Sequence, residues 1–371
     1  MTVAAAVAAL LLLPPVAAGA AAAPPAPSTA GQYIVTLAPG ADVSTTLQRH
    51  QVTASHRYER VLHGFAASLS DRQLAALRAQ PSVTRIEPDG MVHTQDTQLD
   101  PPSWGLDRID QRNLPLDQSY TFDTTAAGVH AYIIDTGIDV GHTEFGGRAT
   151  FAVNTAGGPN RDCHGHGTHV AGTTGAASFG VAKEVNLYAV KVLNCAGSGS
   201  LSSVIAGMDW VAANHTKPAV ANLSLGGGFN ASINESLDNL AEAGVFVATA
   251  AGNEDTDACT TSPASAANST TVMASDIADN RALFSNFGPC THLYAPGVAI
   301  VSTVPRNGTG TASGTSMAAP HVTGVAAMFK ATFGDASFTT VRDWLVDNAT
   351  AGVISGNPPD TPNRLLFTNN L

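Results

Sequence analysis

Five short apolar runs recur through the last two-thirds of this 371-residue chain, separated by stretches long enough to form helices. They are Ala131–Asp135, Val185–Val192, Ala219–Leu223, Val245–Thr249 and Thr271–Ala274. Strands buried on both faces read as near-continuous hydrophobic segments, and parallel neighbours need a crossover, usually a helix, between them. The alternation therefore predicts an α/β domain with a mostly parallel sheet flanked by helices. The length also leaves room for a second, smaller unit.

That smaller unit is read ahead of the first run. Strands are expected at Tyr33–Leu37 and Val83–Glu87, with helices at Val43–Ala54 and Asp71–Gln80. A long strand region, Tyr58–Leu69, is expected to split in two, which gives a small ferredoxin-like α+β sandwich. The polar, proline-tipped stretch Met91–Pro102 reads as an exposed loop open to cleavage. Residues 1–20 read as an export signal, with Leu10–Leu13, then Pro14-Pro15 and an Ala18-Gly19-Ala20 step. A start codon further upstream would explain the lack of Lys or Arg at its beginning. A membrane anchor is the rival, but the prolines interrupt the apolar run. Residues 21–30, rich in Ala and Pro, read as a linker.

Four segments carry chemistry. Gly314-Thr315-Ser316-Met317 precedes a small-residue apolar stretch, Met317 to Phe333, fit for a buried helix. Ser316 would then sit at the positive end of that helix, beside free amides able to hold an oxyanion. Pro320 is expected in the first turn, where its missing amide hydrogen matters least. Asp135 closes an apolar strand and is followed by Thr136-Gly137. His166 lies in Gly165-His166-Gly167, where glycines let backbone and substrate approach, and an imidazole suits proton shuttling near neutral pH. Asn253 follows Ala250-Ala251-Gly252 and could donate its amide to an oxyanion. Together they supply a nucleophile, a base, an acid that orients the base, and an oxyanion donor.

In their order, Asp135, His166, Ser316, these segments resemble the subtilisin-like serine proteases, within them the proteinase K branch and its aqualysin type. Supporting strings are Trp104-Gly105-Leu106-Asp107-Arg108-Ile109-Asp110-Gln111, Ile205-Ala206-Gly207-Met208-Asp209-Trp210 and Ser224-Leu225-Gly226-Gly227-Gly228. The likeness spans Trp104 to Leu371 and more weakly reaches back to Tyr33. It implies a secreted serine endopeptidase, made as a precursor in which residues 31–96 form an inhibitory, folding-assisting prodomain. The peptidase domain would run over residues 97–371, beginning near Thr97.

The resemblance also implies where substrate and calcium bind. Ser224-Leu225-Gly226 and Gly197-Ser198-Gly199 would pair with an extended peptide on either side. Leu225 to Gly227 and Ala250 to Gly252 would form uncharged walls for an apolar or aromatic residue before the cut. Asp107, Asp110, Gln111, Asp117 and the Ser119 region would hold structural calcium through oxygen donors. A second family site near Ala267 and Ser269 has His292 where a carboxylate is usual, and imidazole suits calcium poorly, so that site is expected to be weak or absent. No cofactor is implied for catalysis.

Four cysteines in an exported chain favour disulfides, and three pairings are open from sequence. The resemblance selects Cys163–Cys195 and Cys259–Cys290, each closing a loop of about thirty residues worth about 3–4 kcal/mol in the chain-entropy model. A free reactive thiol at Cys163 is the rival. The net charge of −11, without any basic cluster, argues against nucleic acid. Protein substrates, the chain's own prodomain and a monomeric state are expected, with no membrane partner. Two rival functions stay open: a catalytically silent binding scaffold, and a metal-dependent hydrolase built on His164, His166 and His169.

Overall fold

The computed structural model describes residues 28–90, 96–369 and 371. The expected signal segment lies outside those residues, as does most of the linker. The chain divides into two compact units, Met1–Met91 and Val92–Leu371.

In the first unit the order is β1 (Ser28–Leu37), α1 (Val43–Arg49), β2 (Ala54–Tyr58), β3 (Gly64–Ser68), α2 (Asp71–Arg78) and β4 (Val83–Gly90). The sheet order is β2-β3-β1-β4, antiparallel throughout, which is the ferredoxin-like arrangement. Ser70 and Gln73 form a reciprocal capping box that starts α2. Val35, Leu37, Leu47, Phe65 and Leu77 make the core. The helix expected over Val43–Ala54 stops at Arg49, because Gln51 enters the left-handed region (φ 52°) and the chain turns to bury Val52.

The second unit opens with β5 (Asp96–Leu99), α3 (Trp104–Ile109), β6 (Ser119–Phe122), β7 (His130–Asp135), β8 (Ala149–Asn154), α4 (His166–Gly175) and β9 (Asn186–Lys191). It continues with α5 (Leu201–Asn214), β10 (Ala219–Leu223), β11 (Gly227–Gly228), α6 (Ala231–Glu242), β12 (Phe246–Ala250), β13 (Thr261–Ser262) and β14 (Thr270–Ser275). Last come β15 (Leu293–Pro296), the hairpin β16 (Ile300–Val304) and β17 (Gly308–Ala312), α7 (Thr315–Phe333), α8 (Phe338–Asn348), β18 (Thr350–Ala351) and β19 (Arg364–Leu365). Asp96–Leu99 pairs with Ser119–Phe122, so this part of the stretch expected as an exposed loop is strand, with Thr97 opposite Thr121.

The main sheet has the order β18-β19-β15-β14-β12-β10-β7-β9-β8 and is parallel except for β18. Every residue of β10, β12 and β14 is buried, which is why these strands read as unbroken apolar runs. From β7 the chain goes first to β8 and β9 on one side, then to β10 and onward on the other. The reversal lies between β7 and β10, and ligands of open α/β sheets bind at the carboxyl ends of strands at such a switch point. Asp135 ends β7 and Ser224 follows β10. Helices α4 and α7 pack against each other, and α7 also covers β10, β12 and β14.

Candidate active site

Asp135 is fully buried at the end of β7, and both its oxygens face the Nδ1 of His166, at 2.8 and 2.9 Å. The Nδ1–H donates to the carboxylate, which leaves Nε2 to take a proton. His166 is the first residue of α4, entered through Gly165 in the left-handed region (φ 105°). A side chain at Gly167 would collide with the Gly137 carbonyl, about 2.2 Å from the added carbon, so only glycine lets α4 start this close to β7. The Asp135 charge raises the pKa of His166 above its ordinary value, against the opposing effect of burial.

Ser316 is the second residue of α7, where backbone amides have no intrahelical acceptor. Its hydroxyl donates to the Ser224 carbonyl at 3.2 Å. Asn253 Oδ1 accepts from the amide and the hydroxyl of Thr315, at 2.8 and 3.1 Å. Those two donors identify the oxygen of the Asn253 amide and leave its NH2 free for an anion. Pro320 lies in the second turn of α7, not the first as expected, so the Ser316 carbonyl has no helical donor from residue 320. The Ser224 hydroxyl donates to it instead, at 2.8 Å.

Two cavities share the wall Ser224–Gly227. The first, about 400 Å³, brings together His164, His166, Gly197, Ser198, Gly199, Ser224, Leu225 and Gly226. The second, about 390 Å³, is lined by Leu225 to Gly227, Ala250 to Gly252, Asn253 and Ser316, and also by Glu254. Leu225 to Gly227 and Ala250 to Gly252 thus line one cavity, and a carboxylate joins them. Glu254 Oε2 accepts from the Asn253 backbone N–H at 2.8 Å and from Asn286 Nδ2 at 2.9 Å.

A subtilase-family model matches residues 127–365, and a peptidase inhibitor I9 model matches residues 32–95. The chain belongs to the subtilase family. An extracellular serine proteinase of Thermus sp. (strain Rt41A) is 50% identical over 315 residues, covering 84% of this chain and 77% of its own. Proteinase R of Parengyodontium album is 41% identical over 349 residues, 92% of this chain and 89% of the relative. A cold-adapted subtilisin-like serine proteinase of known structure superposes with a TM-score of 0.70 at 45% identity, covering 71% of this chain and 97% of that one. This subtilase is a serine endopeptidase that carries an I9-type segment at its N-terminal side.

The metal-hydrolase alternative loses its geometry. His169 is buried on α4, where Nε2 faces the carbonyls of Ile300 and Gly310, at 3.1 and 3.2 Å, while His164 is exposed at the cavity. Among the described residues no three His, Cys, Asp or Glu side chains converge as a metal cage. The cysteines are all paired, Cys163 with Cys195 and Cys259 with Cys290, which removes the free thiol. The first bridge ties the loop before His166 to the segment before Gly197.

In the acidic loop the side chains do less uniform work than expected. Asp107 accepts from the amides of Asp117 and Gln118, at 3.2 and 2.8 Å. Ser119 donates its amide and hydroxyl to Asp117, and the Gln111 amide nitrogen donates to the Asn113 and Pro115 carbonyls. Asp110 accepts from the Thr121 amide through Oδ2, while its buried Oδ1 has no partner. Burial pushes its pKa up to about 7; the Thr121 hydrogen bond opposes this and the charges of Asp117 and Asp107 add to it. The nearby Arg108 turns to a buried ion pair with Asp279 and relieves the crowding only slightly, at Asp107. At the second family position, His292 accepts the Thr271 amide at 3.1 Å, and burial lowers its pKa to about 4.

Two residues escaped the sequence reading. Asp162 is buried and accepts from Thr136 Oγ1, the amides of His164, Gly165 and Thr168, and Thr168 Oγ1. Its position shortly before His166 was the available signal. Lys191, fully buried opposite Asp135 in β9, donates to the carbonyls of Thr136 and Leu193 at 2.7 and 2.8 Å. A lysine ending an apolar strand gave no local hint of burial.

Proposed function

We propose that this subtilase cleaves peptide bonds through a triad of Asp135, His166 and Ser316. His166 Nε2 takes the Ser316 hydroxyl proton as Oγ attacks the scissile carbonyl. The oxyanion so formed is stabilised by the Asn253 amide and an amide at the start of α7. The imidazolium then gives its proton to the leaving amine, and water, activated by His166, releases the acyl group from Ser316. The observation that supports this reading is the buried Asp135–His166 contact at the end of β7, with Ser316 tied to Ser224 after the neighbouring strand β10. Because His166 acts when neutral and its pKa is raised, the rise of activity with pH should lie above that of an ordinary histidine.

Peptide substrate would pair with Gly197–Gly199 and Ser224–Gly226, with an apolar or aromatic P1 side chain in the cavity beside Ser316. The Glu254 carboxylate is turned to its own donors, which moderates its pull on basic side chains. Residues 31–96 would act as an inhibitory prodomain, cut off near Thr97 by the enzyme itself after export. In the described residues no helix is long and apolar enough to cross a membrane.

Calcium would be held by the Asp107–Asp117 loop. What supports a hard cation there is the unpartnered Asp110 oxygen, with the charges of Asp117 and Asp107 near it, rather than a preformed cage; Gln111 and the Ser119 region would be further oxygen sources. Bound there, calcium would neutralise the loop and take no part in catalysis.

Intact mass and casein digestion, followed for the purified precursor and its Ser316→Ala variant, test the reading. The wild type should be cut near Thr97 and digest casein, with Ser316→Ala doing neither; residual catalysis from binding and the oxyanion donors alone is many orders lower. Equal activity in both would overturn the nucleophile assignment. A folded but inert wild type would favour a silent scaffold.

A further inference from the structure

Behind the catalytic serine lies a buried chain of hydrogen bonds that the chemistry above does not use. Pro320 lacks the N–H that would close the helical bond to the Ser316 carbonyl, and a proline ring crowds the carbonyl four residues before it. The carbonyl belongs to the nucleophile itself, so holding it holds the backbone from which the hydroxyl projects. It meets the Ser224 hydroxyl at 2.8 Å. Ser224 Oγ is in turn held by Asn222 Nδ2 at 2.8 Å, and Asn222 Oδ1 accepts from Thr323 Oγ1 at 3.0 Å. Asn222 and Thr323 are fully buried and Ser224 nearly so.

The direction of each bond follows from the donors. An amide NH2 can only donate, so Asn222 occupies a lone pair of Ser224 Oγ and turns its single hydrogen toward Ser316. Because the Ser316 carbonyl can only accept, Ser224 must donate to it and accept from Asn222, which turns the Asn222 NH2 toward Ser224. Thr323 Oγ1, two turns further along α7, faces both the Asn222 Oδ1 and the Ala319 carbonyl, at 3.0 and 3.2 Å. The Ser224 carbonyl meanwhile accepts the Ser316 hydroxyl. Two contacts thus run in opposite directions between Ser224 and Ser316. The end of strand β10 thereby grips α7 at the residue where the helix's own bonding fails.

We propose that the Ser224 hydroxyl, oriented by Asn222 and Thr323, is a positioning group for the nucleophile that substitutes for the helical hydrogen bond Pro320 removes. This rests on Ser316 being the nucleophile. A displacement of about 1 Å at a reacting atom can cost about a hundredfold in rate, so the device acts on kcat rather than on KM.

The interaction can be tested by restoring the missing donor. In the Pro320→Ala background residue 320 gains an N–H for the Ser316 carbonyl, and the Ser224 hydroxyl should become redundant. The full-length protein and its variants are compared for hydrolysis of a chromogenic peptide with Phe at P1, for the rate of Ser316 phosphonylation by a small fluorophosphonate, and for thermal midpoint. With Pro320 in place, Ser224→Ala should lower kcat and the phosphonylation rate about tenfold, with KM within twofold. In the Pro320→Ala background the same substitution should change both by less than twofold. A purely structural role would lower the thermal midpoint in both backgrounds without this dependence of kcat on residue 320. Equal losses in the two backgrounds, or no loss in either, overturn the proposal.

Thr323→Val provides a second route if Ser224→Ala fails to fold. It should slow phosphonylation severalfold with Pro320 present and not in the Pro320→Ala background, and equal slowing in both would again be fatal. Ser316→Ala is run in parallel. If it retains activity the nucleophile assignment fails; if it is inert while Ser224→Ala behaves as wild type, only the positioning role fails.

Discussion

Asp162 and Asp110 are both acids carried into the protein beside a functional loop, yet they end in opposite states. Burial alone would raise the pKa of Asp162, but hydrogen bonds from Thr168, Gly165 and His164 outweigh it and hold the carboxyl below its ordinary value. Asp110 has one amide donor, a bare oxygen and two acidic neighbours, and is pushed up to about 7. The desolvation cost of a carboxylate is thus settled by the donors around it rather than by depth. Where the loop must hold His166 in one place, the protein supplies every donor. Where donors are missing, a cation would complete the set.

Removing the satisfied acid should have the larger effect. Asp162→Ala strips acceptors from three amides and two hydroxyls, leaving buried donors unpaired at about 1–3 kcal/mol each before relaxation. Stability should fall by about 3 kcal/mol in denaturant unfolding, and kcat by about a hundredfold as the His166 loop loosens. Asp162→Asn should retain more activity, and its acid limb should move to lower pH, because the Asp162 charge helps raise His166. The linkage has a definite sign. With its folded pKa below the unfolded value, Asp162 stabilises above about pH 4 and loses that contribution as pH falls through the folded value. If both variants unfold and titrate as wild type, the contrast between the two acids has no energetic content.

The unsatisfied acid should respond the other way. With a folded pKa of about 7, Asp110 stabilises most when protonated, below its unfolded value near 4, and that contribution is lost as pH rises through about 7. Calcium binding should therefore strengthen over the same interval. Chelation should lower the thermal midpoint of the wild type by about 5 °C at pH 8 and hardly at all at pH 5. Asp110→Asn should raise the calcium-free midpoint at pH 8 and abolish most of the response to added calcium. An undiminished calcium response in Asp110→Asn would place the ion elsewhere.

Much of this architecture was legible because burial leaves a local imprint. The strands from β7 to β14 nearest the centre are apolar on both faces, and the segments bearing Asp135, His166, Ser316 and Asn253 each keep their glycine or strand context within a few residues. The rest depends on partners remote in sequence. Pro320 was expected in the first turn because a proline deeper in a helix leaves a carbonyl unsatisfied. Its compensation comes from Ser224, 92 residues away from Ser316, which no local pattern records. Asp162 and Lys191 were overlooked for the same reason, as their worth lies in donors and acceptors gathered from other elements. β8 leaves a weak imprint because it is the edge strand and none of its residues is fully buried, and β15, though buried, is only four residues long.

Glu254 falls between the two acids and sharpens the rule on a smaller scale. It lines the cavity beside Ser316, but the Asn253 backbone N–H and Asn286 Nδ2 already bind its Oε2. A carboxylate with two donors and access to water should attract a basic P1 side chain weakly, since exposed ion pairs contribute at most about 1 kcal/mol. Glu254→Gln keeps the shape and the capacity to accept hydrogen bonds while removing the charge. Paired peptides that differ only in Phe or Lys at P1 should show kcat/KM for Lys falling about threefold to fivefold and that for Phe changing less than twofold. The walls from Leu225 to Gly227 and Ala250 to Gly252 would still favour Phe in both proteins. A loss of Lys cleavage beyond about a hundredfold would mean that Glu254 is effectively unsatisfied, like Asp110, and that it, rather than the apolar walls, governs the choice of P1.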